Sequence, residues 1–304
     1  MIKRVDVISK SGGKDSTATW LKALEDGVKP LVVFNDTGNE HPLTYEYLDY
    51  LESQLGPIKR IKADFSKQIE RKRETVQTKW RNDGISEDVI QAALEMLHPT
   101  GNPFLDLCIW KGRFPSTKIR FCTVELKVRP MFDQVFMPLL EEGKRVISWQ
   151  GIRAAESRER ALMPEREDTP EGYEIYRPLL NWSAKDVFDM HRKYGIEPNP
   201  LYKMGMGRVG CMPCINCGKD ELYEIARRFP EEVARIAEWE RIVKQASKRG
   251  GATFFPTANG RDAEGIYDNV EWSKTTYGGR NYDLIKAIEF EDVPVCSSQY
   301  GLCE

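Results

Sequence analysis

The 304-residue chain predicts an α/β fold, a Rossmann-like parallel sheet flanked by helices, with a smaller C-terminal cysteine-bearing module. Three observations lead there. Short apolar runs alternate with helix-compatible segments through the first 62 residues, a glycine turn joins the first such pair, and three cysteines crowd into residues 211–217. The expected division is residues 1–198 for the first unit and 199–304 for the second, where glycine density rises after Asn199-Pro200.

Val5 to Ser9 reads as the first strand and Thr17 to Glu25 as the helix after the turn. Leu31 to Phe34 is a compact second strand, Glu40 to Leu55 a helix, and Ile58 to Ile61 a return to the sheet. Largely apolar strands of this kind fit a parallel sheet covered on both faces. Residues Asp64 to Leu97 are charged and helix-compatible. Between Lys59 and Arg81 nine basic side chains face three acidic ones, a pattern that reads first as solvated helix surface and second as a phosphate-recognising face. Pro99 to Arg120, with its prolines and Gly112, predicts an irregular loop. A helix bent near Pro130 and Pro138 is expected over Val124 to Glu141. Arg145 to Trp149 has strand character, Ala184 to Tyr194 is helical, and Glu221 to Arg249 predicts two helices parted near Pro230.

Composition narrows the class. With 45 basic and 47 acidic side chains the formal net charge is −2, so no global charge argues for nucleic acid. Mean hydropathy is −0.53, and no apolar run reaches membrane-spanning length. The opening residues lack a signal-peptide apolar segment. A soluble protein of the cytoplasm, with no membrane partner, is the expectation.

The turn Ser11-Gly12-Gly13-Lys14-Asp15-Ser16 carries the first chemical signal. Glycines let backbone approach a ligand, N–H groups at a helix start favour an anion, and Lys14 can meet phosphate oxygens. Asp36-Thr37-Gly38 follows the second strand, where the carboxyl ends of an open sheet bind ligands. Arg153, in Gly151 to Arg158, can make two directed bonds to phosphate.

These segments, with Phe121 to Pro130 and Arg177 to Ser183, resemble the phosphoadenosine phosphosulfate reductase-like family within the PP-loop ATP pyrophosphatases. The turn differs from a Walker A sequence and from a dinucleotide fingerprint. The resemblance implies that the turn embraces the phosphates of an adenine nucleotide. Lys14, Arg153 and Lys127 would then be the catalytic cations, with Ser11 and Ser16 as phosphate-contacting hydroxyls. Asp15 would organise the loop or approach Mg2+ indirectly, and Asp36 would organise nucleotide or magnesium. Glu156 would orient Arg153 or a loop amide, and Arg158 would serve either the ligand or the surface.

Cys211, Cys214 and Cys217 recur at intervals of three, a spacing that can direct soft thiolates toward iron and resembles half of an iron–sulfur sequence. A [4Fe-4S] cluster is the expectation, with Cys122 as fourth ligand, chosen because its segment resembles the family region near the nucleotide; Cys296 is the second choice. Structural Zn2+ and a redox dithiol are the alternatives. Cys108 has no spacing partner and reads as a packed apolar residue. Cys303, near the C-terminus, corresponds loosely to the nucleophilic cysteine of sulfonucleotide reductases.

The leading expectation is attack at the α-phosphorus of ATP, with Mg2+, releasing pyrophosphate and adenylating an acceptor in sulfur chemistry. The acceptor is left open between DNA, RNA and another nucleotide. A thiol-dependent sulfonucleotide reductase is the enzyme alternative, and a nucleotide-sensing interaction protein the alternative from another class. Implied partners are a sulfur donor or electron-donor protein and a second copy of the chain in a homodimer.

Overall fold

A computed structural model describes residues 3–258 and 261–275. Its centre is a six-stranded sheet in the order β3-β2-β1-β4-β6-β5. The strands are β1 (Arg4–Lys10), β2 (Leu31–Asp36), β3 (Ile58–Lys62), β4 (Arg145–Trp149), β5 (Arg166–Asp168) and β6 (Glu174–Tyr176). All neighbours pair in parallel except β5, which runs antiparallel along β6. The first three strands step outward on one side of β1, and the chain then returns to place β4 on the other. That reversal opens a crevice beyond the carboxyl ends of β1 and β4.

Strand alternation gives each face its own apolar cover. Ile8, Val32, Phe34, Ile147 and Trp149 meet Trp20 and Leu21 of α1 (Lys14–Glu25), Leu48 and Leu51 of α2 (Pro42–Leu55), and Val187 and Met190 of the helix Ala184–Lys193. On the opposite face Val7, Val33, Ile61 and Val146 meet Met131, Val135 and Phe136. Each such side chain taken from water contributes about 1.5–3 kcal/mol. A third cluster joins α3 (Ser66–Thr75), α4 (Glu87–Met96) and α5 (Pro103–Lys111) to the helices Lys219–Arg228 and Pro230–Gln245.

Helix α5 lies where the turn residues predict a loop. Pro103 occupies its first turn, the Asn102 side chain accepts from the Leu105 N–H, and Gly112 closes it in the left-handed region at φ 63°. Those residues punctuate a short helix rather than an irregular path. The bends expected near Pro130 and Pro138 take the form of two π turns, Val124–Val128 and Phe132–Phe136, within the helical run 121–141. A proline cannot donate to the preceding turn, and widening that turn accommodates the loss. Among the described residues no helix is long and apolar enough to cross a membrane.

Candidate functional site

The turn after β1 is held open by steric necessity. Gly12 adopts φ 76°, and a Cβ there would come within 2.6 Å of Thr44 Cγ2. Gly13 precedes α1 and accepts from the hydroxyls of Ser16 (3.0 Å) and Thr17 (3.1 Å). Ser11 Oγ lies 3.3 Å from Ser16 Oγ, so the two hydroxyls share one side of the turn. The first turn of α1 thereby points its positive end toward the crevice.

Lys14 and Asp15 begin that helix. The Lys14 N–H donates to the Tyr202 hydroxyl at 2.9 Å, and the Lys14 ammonium lies 3.1 Å from Asp15. Arg153, buried at the exit of β4, donates through Nε to the same carboxylate at 2.6 Å. Gly151 makes the approach feasible, because a Cβ there would lie 2.8 Å from the Asp15 carbonyl oxygen. Glu156 accepts from the Arg153 N–H at 3.1 Å and also bonds Arg160. Arg158 is exposed at the start of the short helix Arg158–Ala161. Lys14, Asp15 and Arg153 thus converge, with Glu156 fixing the arginine's backbone and Arg158 outside the group.

A second group forms at the end of β2. Asp36 accepts from Tyr45 (2.7 Å) and the Gly38 N–H (3.0 Å) and pairs with Lys62 at 2.8 Å. The Thr37 hydroxyl donates to Glu40 at 2.7 Å. Burial pushes the Glu40 carboxyl upward, with the Thr37 bond opposing it. A cavity of about 540 Å³ opens here, lined by Asp36, Gly38, Glu40, Tyr45, Lys62 and Arg235 among others. On the other side of β1 a cavity of about 360 Å³ lies against Ser9, Ser148 and Gln150 at the strand ends, walled by Phe132, Phe136 and Tyr173. Lys127 lines this second cavity, and its ammonium pKa is pushed up by Cys211 and then by Glu40.

The expected metal centre is not formed. Among the described residues no group of three or more His, Cys, Asp or Glu side chains could hold a metal ion, which overturns both the [4Fe-4S] and the Zn2+ assignment to Cys122, Cys211, Cys214 and Cys217. The thiols have other partners. Cys211 Sγ lies 3.5 Å from the Thr37 hydroxyl, Cys217 donates to the Gly218 carbonyl at 3.4 Å, and Cys214 accepts from the Asn216 N–H at 3.5 Å. Burial raises Cys211 to about 11 and also raises Cys122 and Cys217. Cys108 is fully buried in the third apolar cluster. Cys296 and Cys303 lie outside the described residues.

Several neighbours of the turn escaped sequence reasoning. Tyr202 and His191 reach Lys14 from 188 and 177 residues away, and no local pattern announces either. Arg235 bonds the Asn39 side chain at 2.9 Å and the Met212 carbonyl at 2.7 Å, clamping the cysteine segment to the end of β2. Lys10 lies beneath the turn itself, and its position at a strand end was the only available signal.

Comparison with known proteins identifies the family. Residues 6–217 match the phosphoadenosine phosphosulfate reductase domain. An uncharacterized 37.8 kDa protein of Escherichia phage 186 is 51% identical, over 99% of this chain and 97% of its own. The adenosine 5′-phosphosulfate reductase of Allochromatium vinosum is 38% identical over 90 residues, 27% of this chain and 35% of that one. A crystal structure of phosphoadenylyl-sulfate reductase from Candida auris, a phosphate complex, aligns at 15% identity with TM-score 0.40, covering 69% of this chain and 82% of that one. With a domain match that takes in the turn, the end of β2, Arg153 and the cysteine segment, the chain belongs to the phosphoadenosine phosphosulfate reductase domain family.

Proposed function

We propose that this chain is a thiol-dependent sulfonucleotide reductase that seats its nucleotide in the crevice between the turn and the ends of β2 and β4. The carrying observation is the turn of Ser11 to Ser16, with Lys14 and Arg153 converging on Asp15 at the strand ends, in a chain of this domain family. The printed activity of the Allochromatium relative supports the same substrate class. In the reaction a cysteine thiolate attacks the sulfur of an adenylyl sulfate. The S–O bond to the nucleotide phosphate breaks, and AMP leaves with that electron pair. A second thiol then attacks the S-sulfonated cysteine, forming a disulfide and releasing sulfite. Cys303 is the proposed nucleophile, and an external dithiol supplies the two electrons.

The chain's own groups would act on charge. The amino end of α1 and the Lys14 ammonium offset the phosphate as it gains electrons, and Arg153 keeps Asp15 from repelling it. Lys127 would face the sulfonate as it passes to the cysteine while AMP leaves.

A second reading is ATP cleavage to AMP and pyrophosphate with adenylation of an acceptor. It is favoured by the unbroken Ser-Gly-Gly-Lys-Asp-Ser turn with its lysine in place. One assay separates the two. Full-length protein is given adenylyl sulfate with a dithiol, or labelled ATP with Mg2+ and nucleic acid. Sulfite appearing one-for-one with AMP, and lost in Cys303→Ser, is the expected result. Pyrophosphate without sulfite would replace the first reading by the second, and tight nucleotide binding with neither product would favour a sensor.

A further inference from the structure

Lys10 ends β1 directly beneath the turn and is only 2% exposed. Its ammonium reaches Ser16 Oγ at 3.1 Å, the Gly13 carbonyl at 3.4 Å and the Thr17 hydroxyl. Three acceptors can take all three N–H bonds once the amine is charged, and either hydroxyl can instead donate to it when it is neutral. Yet among the described residues no carboxylate pairs with it, because the nearby Asp15 is already shared by Lys14 and Arg153. The turn therefore gathers three basic side chains around one carboxylate, and Lys10 is the one most removed from water.

The groups facing it are few. Lys14 and Asp15 belong to α1, with Arg153 attached through Asp15. Tyr47 of α2 presents its ring at 5.8 Å from Nζ. His191, from the helix Ala184–Lys193, lies close enough for each charge to disfavour the other, and burial keeps it neutral. Burial also pushes the Lys10 ammonium well below the usual lysine range, with Asp15 alone opposing.

We propose that Lys10 is a positioning residue whose charge is coupled to occupancy of the turn. It is proton-poor when the turn is empty and takes up one proton from solvent when a phosphate-bearing group docks above it. Once charged, it donates to Gly13, Ser16 and Thr17 together. The Ser16 hydroxyl hydrogen is then released from local acceptors toward the phosphate. The inference rests on the nucleotide reading of the turn and is independent of which bond is cleaved.

The sign of the linkage follows. Ligand binding favours the protonated amine, so affinity is full below the pKa of the empty state and falls as pH rises through that of the occupied state. Calorimetric titration of the full chain with AMP, at alkaline pH where the AMP phosphate has no proton left to exchange, in two buffers of different ionisation enthalpy, counts the protons. Uptake of about one proton per site is expected in the wild type. In Lys10→Met and Lys10→Gln uptake should vanish, with AMP bound about tenfold more weakly at neutral pH and with less pH dependence. A purely structural lysine would leave the proton count unchanged. AMP binding without uptake in the wild type, or a folded Lys10 variant with undiminished uptake, overturns the role of Lys10 and leaves the nucleotide reading intact. Failure to bind AMP overturns both.

Discussion

Arg153 Nε stands 2.6 Å from the Asp15 carboxylate, tying the exit of β4 to the first turn of α1 across the crevice. The pair is mostly buried, so its partners cannot be replaced by water without cost. Arg153→Met should therefore destabilise the fold by about 3 kcal/mol, because it leaves Asp15 with Lys14 alone. Asp15→Asn should cost as much or more, since it leaves the buried Lys14 and Arg153 with no carboxylate between them. Urea unfolding of both variants checks the order.

Lys14 is expected to matter for chemistry more than for folding. Its ammonium stands at the amino end of α1, where a phosphate would gain negative charge. Lys14→Met should lower kcat/KM by about a hundredfold while moving the unfolding midpoint less than Arg153→Met does, because Arg153 Nε still bonds Asp15 at 2.6 Å. Steady-state sulfite release beside thermal melting separates the two effects. An unaltered kcat/KM would remove the turn from the mechanism.

Two glycines set the shape of the site. Gly12→Ala combines a positive φ with a 2.6 Å approach to Thr44, and Gly151→Ala would press on the Asp15 carbonyl at 2.8 Å. Each should cost about 1–3 kcal/mol and weaken AMP binding, because both displace the start of α1. Gly27→Ala is a control: it shares the positive φ and has nothing within 4 Å of the added Cβ. It should destabilise without altering AMP affinity.

His191 supplies a pH test. Nε2 lies 3.0 Å from the Lys14 carbonyl, and burial pushes its pKa down from 6.5 to about 4. Between those values the unfolded chain binds the proton that the folded chain refuses. Stability should therefore be fully present above pH 6.5 and fall as pH drops toward about 4, by about 3 kcal/mol in all. His191→Gln keeps a donor for the Lys14 carbonyl and should flatten that slope. Denaturation midpoints across the acid range measure it.

Strands β1 to β4 were legible because apolar residues recur in each between turn residues, and the observed bounds differ from the expected ones by at most two residues. The hairpin of β5 and β6 was not, since Arg166-Glu167-Asp168 shows no apolar alternation and owes its pairing to Glu174–Tyr176. Helix α5 was missed for a different reason: Pro103 and Gly112 serve equally as loop residues and as helix ends, and only the capping geometry distinguishes them.

The sequence by itself determined the α/β alternation, the glycine-rich turn and the family, because all three are written in contiguous residues whose spacing acts over a few bonds. The tertiary structure alone decided that Asp15 is shared by Lys14 and Arg153, that Lys10 lies buried with no carboxylate paired to it among the described residues, and that Cys211 faces Thr37. Charge compensation and thiol direction depend on groups brought together from far along the chain. Local spacing carries no record of which partner will arrive, or of how much water it will displace.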